Sequence, residues 1–197
     1  MDLRLEGKKA LITGGSRGIG KATAEALAKE KVKVAIVARG KDELDKIVGE
    51  IGGNSDGHMG FSIDLMDRNG PRSLVEALQS DFGEPEIIVH NLGGSLAIRD
   101  QLCSINEWRK VWRLNMEIPI EINNLLIPVM EKINWGRLIH ISSVSGLENL
   151  GPIPYCSAKA ALTAYSRSLG RVLAPKGIAV SAILPGAVYA KDGPWGI

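Results

Sequence analysis

The chain has 197 residues, a formal net charge of +2 at pH 7, 45% hydrophobic and 23% charged residues, the composition of an ordinary globular domain. So small a charge excludes the strong basic field that nucleic acid or an acidic membrane surface would select, and neither is an expected partner. The charged residues Asp2, Arg4 and Glu6 stand where a leader needs an apolar run, no stretch is long and apolar enough to span a bilayer, and Cys103 and Cys156 lack any metal or disulfide-framework spacing, so the expected setting is the reducing cytoplasm.

In chain order, short apolar runs alternate with helical periodicities. A buried strand is expected at 9–13, then glycines and an Ala-rich helix ending near 31. A second strand is expected at 32–38, a helix at 42–51 and a third strand at 59–63. A helix with Pro71 in its first turn follows over 71–82, then a strand at 87–90 and a long, largely helical stretch at 105–133. Strands at 137–142 and 178–184 flank a strong helix at 155–173. The Gly-rich stretch 49–60 reads as a surface connection. Near-continuous apolar strands separated by helices point to a parallel sheet covered on both faces, hence a doubly wound, Rossmann-like α/β fold in one domain over 1–197.

The loop after the first strand reads Thr13, Gly14, Gly15, Ser16, Arg17, Gly18, Ile19, Gly20. Glycines allow a sharp turn and close approach of a phosphate, and the following helix offers free N–H groups and the positive end of its dipole. In this strand-loop-helix context the loop reads as a pyrophosphate site. Its spacing, Gly-x-x-x-Gly-x-Gly after Thr13, resembles the short-chain dehydrogenase/reductase family, in the branch typified by bacterial ketoacyl reductases. The resemblance runs from Leu5 to about Val188.

In dinucleotide folds an acidic residue past the glycines binds the ribose 2′-hydroxyl, whereas an Arg accommodates a 2′-phosphate. Here the second strand ends Val37, Ala38, Arg39 with no carboxylate, and Arg17 is a second cation. Two guanidiniums favour NADP(H), with NAD(H) ranked behind it. Asp64 and the adjacent Leu65 resemble the family's adenine-binding pair; taken alone, Asp64 could equally cap the next helix. Asn91, Leu92, Gly93, Gly94 resemble the family's Asn-Ala-Gly segment beside the cofactor, with Leu92 in place of the usual Ala. Pro185, Gly186 and Val188 resemble the Pro-Gly segment whose backbone holds the nicotinamide carboxamide. A Thr usually follows where Ala190 stands.

Tyr155 and Lys159 are four apart in an expected helix and so share a face. An ammonium beside a phenol favours the tyrosinate and is expected to lower the phenol's pKa, which suits it to proton transfer with an alkoxide or alcohol. The resemblance implies that Ser143 hydrogen-bonds the substrate oxygen, with Ser142 as fallback. It also implies that Lys159 holds the ribose hydroxyls, and that Asn115 disturbs its helix to hold a water linked to the lysine. Asn is a poor mid-helix residue, although simple solvent exposure would also account for it. The implied activity is hydride transfer between NADP(H) and a small carbonyl/alcohol substrate, without a metal, in a homodimer or homotetramer built on the long helix and the helix carrying Tyr155.

The family normally continues past this length with a substrate-covering loop and helix and a last strand, so the C-terminal part is expected to be missing, and a sheet edge bare. Gly193, Pro194, Trp195 and Gly196 read as the start of a lid. An alternative is a cofactor-binding regulatory or scaffold protein without turnover. A nucleotide-sugar epimerase or dehydratase, which shares Tyr-x-x-x-Lys, fits the glycine spacing poorly. His58, His90 and His140 show no ligand spacing, and Trp108, Trp112 and Trp135 are expected to pack against the long helix or at a subunit face.

Overall fold

A computed structural model of the chain describes residues 3–189, which fall into two compact units, residues 3–91 with Tyr189 and Leu92–Val188. In the first unit, strands β1 (Lys9–Thr13), β2 (Lys33–Ala38), β3 (Met59–Ser62) and β4 (Ile87–His90) alternate with helices α1 (Gly18–Lys29), α2 (Lys41–Glu50) and α3 (Gly70–Ala77). β1 pairs in parallel with β2 and β4, in register Leu11 with Ala35 and Ile88. β2 pairs in parallel with β3, Val37 opposite Phe61. Ala10, Leu11, Ile12, Ala35, Ile36 and Ile88 are fully buried, as continuous apolar runs covered on both faces should be. The expected helix at 71–82 is α3 followed by a π turn, Leu78–Phe82. The stretch 49–60 holds the end of α2, a 3₁₀ turn at Asn54–Asp56 and the start of β3.

The second unit holds α4 (Ile105–Trp112), α5 (Ile118–Lys132), β5 (Gly136–Ile141), the short α6 (Ser145–Glu148), α7 (Ile153–Leu173) and β6 (Ile178–Ile183). Ser104 opens α4 with a capping box, its hydroxyl accepting from Glu107 N–H while the Glu107 carboxylate accepts from Ser104 N–H. A π turn, Arg113–Glu117, joins α4 to α5, so the long helical stretch is continuous but carries an inserted residue. β5 and β6 are parallel, Leu138 opposite Val180. The order β3-β2-β1-β4 in the first unit and the β5-β6 pair in the second, all parallel with helices between them, are those of a doubly wound, Rossmann-like fold. β6 differs from the expected two-sided burial. It ends the strand order, and Ala179, Ser181 and Ile183 along it are exposed while Ile178 is buried. The Trp135 ring packs under the Arg137 guanidinium, 4.5 Å from the centroid. His58, His90 and His140 are all buried. No helix among the described residues is long and apolar enough to cross a membrane.

Candidate active site

The first unit shapes a narrow loop at the carboxyl end of β1. Gly14 and Gly18 have φ of +65° and +54°, a left-handed backbone that glycine adopts without strain, and Gly14 N–H donates to Val37 at 2.9 Å. A Cβ on Gly20 would lie 2.5 Å from Asn91 Nδ2 and 2.6 Å from the Gly14 carbonyl, so the helix start packs on the loop in a way only glycine permits. Asn91 holds this turn from β4: its Nδ2 donates to Gly14 O at 2.8 Å and Thr13 O at 3.2 Å, and its N–H donates to Thr13 Oγ1 at 3.1 Å. Helix α1 opens at Arg17 without a side-chain cap and with no acidic residue in its first turn, which leaves its positive end suited to an anion. These features fit a dinucleotide pyrophosphate.

Arg17 and Arg39 are both exposed, and among the described residues neither guanidinium has a hydrogen bond or ion pair. Ser62 Oγ donates to the Arg39 carbonyl at 2.9 Å and fixes the backbone at the end of β2. Asp64 does not cap α3, whose N-cap is Asn69, without a side-chain bond; its carboxylate instead accepts from Met66 N–H at 2.9 Å and organises the turn after β3, with Leu65 buried beside it.

The second unit gathers the residues expected to transfer a proton. Asn115 sits in the π turn and is fully buried, which removes solvent exposure as the reason for a mid-helix Asn. Its Nδ2 donates to Gly94 O at 2.9 Å and Val111 O at 2.8 Å, while Gly94 N–H donates to its Oδ1 at 3.1 Å. A Cβ on Gly93 would lie 2.8 Å from both Asn115 Oδ1 and Lys159 Nζ, so Gly93 is the space that lets these two groups face one backbone segment. Lys159 is 3% exposed, and its ammonium donates to Ile141 O at 2.7 Å. Burial lowers its pKa to about 8.

Tyr155 lies one turn before Lys159 on α7, with the Lys159 ammonium 5.7 Å from its ring centroid. The phenol's pKa stands above its ordinary value of 10, because burial raises it more than the neighbouring Ser143 hydroxyl lowers it. The expected lowering by Lys159 is therefore not the net effect, since desolvation of the phenol dominates. Ser143, at the exit of β5, also accepts from Ser145 N–H at 3.1 Å. Ser142 points elsewhere: its hydroxyl contacts the Lys159 carbonyl at 2.9 Å and Thr163 Oγ1 at 2.8 Å. Val144 N–H donates to Pro185 O at 3.1 Å, which sets the Pro185–Gly186 segment alongside Ser143, with Val188 partly exposed beyond it.

One participant was not anticipated from sequence. A Cβ on Gly146 would lie 2.6 Å from Ala160 N and 2.8 Å from the Lys159 carbonyl carbon, so α6 rests directly on the α7 backbone behind the Lys159 side chain. A lone glycine after a strand gave no signal of this. The expectations for Ala190 and for 193–196 fall outside the described residues.

Residues 8–192 match the family described as short chain dehydrogenase. The chain is 35% identical over 190 residues to the 3-oxoacyl-[acyl-carrier-protein] reductase FabG of Escherichia coli strain K12, covering 94% of this chain and 75% of that protein. Its structure is similar to that of L-sorbose reductase from Gluconobacter frateurii in complex with NADPH and L-sorbose, with TM-score 0.90 and 30% identity over 98% of this chain and 74% of the other. It is also similar to RhlG from Pseudomonas aeruginosa in an NADP active-site complex, with TM-score 0.85 and 30% identity over 95% and 75% of the two chains. An NAD⁺-bound xylitol dehydrogenase shares the fold at TM-score 0.81 and 24% identity, over 93% of this chain and 71% of that one. With a glycine loop at the end of β1 and a Ser-Tyr-Lys set on one strand exit and one helix, the chain belongs to the short-chain dehydrogenase family of oxidoreductases.

Proposed function

We propose that the protein is an NADP(H)-dependent oxidoreductase acting on a carbonyl/alcohol pair, with Tyr155 as its acid/base. The observation that carries the reading is the buried Lys159 ammonium one helical turn from Tyr155 and 5.7 Å from its ring centroid, with the Ser143 hydroxyl acting on the same phenol. When bound, NADPH supplies the hydride. Ser143 and Tyr155 together hold the substrate oxygen, and Tyr155 gives it the phenolic proton as the carbonyl carbon is reduced to the alcohol. The raised pKa keeps that proton on Tyr155 at neutral pH, the state needed for reduction. Lys159 places a positive charge where the phenolate forms, and Asn115 holds the Gly93–Gly94 backbone against that lysine. Gly14, Ser16, Arg17, Gly18, Ile19, Gly20 and Asn91 take the pyrophosphate side of the cofactor and Asp64 with Leu65 the adenine side. Gly93, Pro185, Gly186, Val188, Tyr155 and Lys159 take the nicotinamide-ribose side. The exposed Arg17 and Arg39 support NADP(H) over NAD(H), as do the NADP-bound relatives.

Self-association as a homodimer or homotetramer through the long helix and α7 accompanies this reading, supported by the exposed Ile105, Trp112 and Val172 on those helices. The free Cys103 and Cys156 suit a reducing compartment such as the cytoplasm. The test is NADPH oxidation with a panel of keto-thioesters, diketones and ketoses. Turnover by the native chain and its loss in Tyr155→Phe is the expected result. Undiminished turnover in Tyr155→Phe would remove the assignment.

A further inference from the structure

A helix packed on a sheet by apolar contacts alone is free to slide and rotate slightly, because dispersion and the hydrophobic effect have little directionality. A site that needs two hydroxyls on different elements within hydrogen-bond distance tolerates little such movement. In this chain the elements are β5, whose exit carries Ser143, and α7, which carries Tyr155.

The face between them is unusually polar for a strand-helix contact. His140 and Ser142 are two apart along the strand path and so point the same way, toward α7. Lys159, Thr163 and Ser166, spaced i, i+4 and i+7, form one stripe of the helix. Ser166 Oγ donates to Leu162 O at 2.7 Å, so its contact with His140 Nδ1 at 2.9 Å is one in which the imidazole N–H donates to the serine oxygen. Ser142 and Thr163 both lie within reach of the Lys159 carbonyl, at 2.9 and 3.0 Å, and 2.8 Å from each other. Two hydroxyl hydrogens serve three contacts, so the bonds run from one hydroxyl through the other to that carbonyl. Lys159 is thus tied to the end of β5 twice, by its carbonyl through Ser142 and by its ammonium to Ile141 O. His140, Ser142, Lys159 and Ser166 are each at most 4% exposed, which leaves water little access to compete for these bonds.

We infer that Ser142 and Thr163, backed by His140 and Ser166, are positioning residues that lock α7 in register on β5 and so hold the Tyr155 hydroxyl against Ser143. None of the four touches the reacting atoms. Ser142 is adjacent to Ser143, and Thr163 stands two turns beyond Tyr155, so a slip at their contact moves both partners of the reacting pair. The inference rests on the proposed roles of Ser143 and Tyr155 in turnover, but its first readout does not use turnover.

The chain has three tyrosines, so ¹³C-tyrosine labelling gives three ring Cζ resonances, and Tyr155→Phe assigns the one of interest. In Ser142→Ala and Thr163→Val that resonance is expected to move toward its position in Ser143→Ala, where the Ser143 hydroxyl is gone. Thr163→Ser, which keeps the hydroxyl, should restore the native position. Val75→Ala, a destabilising change elsewhere, should leave it unmoved. A parallel assay should find kcat lowered on the order of 10- to 100-fold in Ser142→Ala and Thr163→Val, with the KM for NADPH within about twofold of native. A native Tyr155 resonance in Ser142→Ala would overturn the inference, and so would a kcat loss no larger than that of Val75→Ala. If the native chain shows no turnover while the resonance moves as stated, the functional reading fails and the positioning role stands. Ser142→Ala removes one hydroxyl and no packing volume beyond it, so it carries the test should Thr163→Val fail to fold.

Discussion

Asn115 and Gly94 exchange two hydrogen bonds, the Gly94 amide donating to Asn115 Oδ1 at 3.1 Å and Asn115 Nδ2 donating to the Gly94 carbonyl at 2.9 Å. The side-chain amide thereby does for a loop what a neighbouring strand does in a sheet, satisfying both main-chain groups of one residue. A third bond, to Val111 O, ties the same amide into the π turn that carries it. The inserted residue of that turn is what aims Asn115 inward while α4 and α5 remain one continuous path.

Asn115→Leu would fill the same volume but leave the Gly94 N–H and the Gly94 and Val111 carbonyls without this partner. The expected destabilisation is about 2–4 kcal/mol, read as a fall in Tm of about 5–15 °C by calorimetry. A fall of under about 2 °C would show that the amide is dispensable to the fold.

Lys159 predicts a pH dependence of opposite sense to a surface lysine. Its pKa in the folded chain is about 8, depressed by burial from the ordinary 10.5. The unfolded chain therefore binds more protons between those values, and stability from this group rises as pH rises through that window and is lost as pH falls through about 8. The burial of the charge costs about 3 kcal/mol at neutral pH, part of which the bond to Ile141 O offsets. Lys159→Met should abolish turnover yet raise Tm by a few degrees at pH 7, with the gain shrinking toward pH 10. A variant less stable than native at pH 7 would contradict this account.

Arg39 lies exposed at the end of β2, with its backbone held by Ser62. Arg39→Asp replaces a phosphate-pairing fork with an acceptor for a ribose hydroxyl and a charge that repels phosphate. The ratio of kcat/KM for NADPH over NADH should fall on the order of 10- to 100-fold, with stability unchanged. An unaltered ratio would place cofactor choice on Arg17 or elsewhere.

Much of the architecture could be read before any coordinates. β1 and β4 have the ends expected from the apolar runs, and most other elements differ by one to three residues at a terminus, because capping and fraying rather than periodicity set helix ends. Tyr155 and Lys159 were paired by their spacing alone, since backbone geometry puts i and i+4 on one helix face whatever surrounds it. Asn115 was visible as a residue out of place. The π turn that explains it was not, because the inserted residue leaves no mark in the hydrophobic period.

Other features depend on atoms distant in the chain. Ser142 and Ser143 are chemically alike and adjacent, and which one meets Tyr155 depends on how β5 exits toward α6 and where α7 lies against it. The pKa of Tyr155 was expected to fall from the nearby ammonium, but desolvation sums over every neighbour packed around the phenol, and it wins. Gly93 was expected beside a cofactor and Gly146 drew no role of its own, and only the approach of Lys159 and of the α7 backbone makes their missing Cβ atoms necessary. Spacing within one element is set by covalent geometry and is written in the residues themselves. Burial, hydroxyl pairing and close backbone approach are set by packing between elements, and they exist only once the chain has folded.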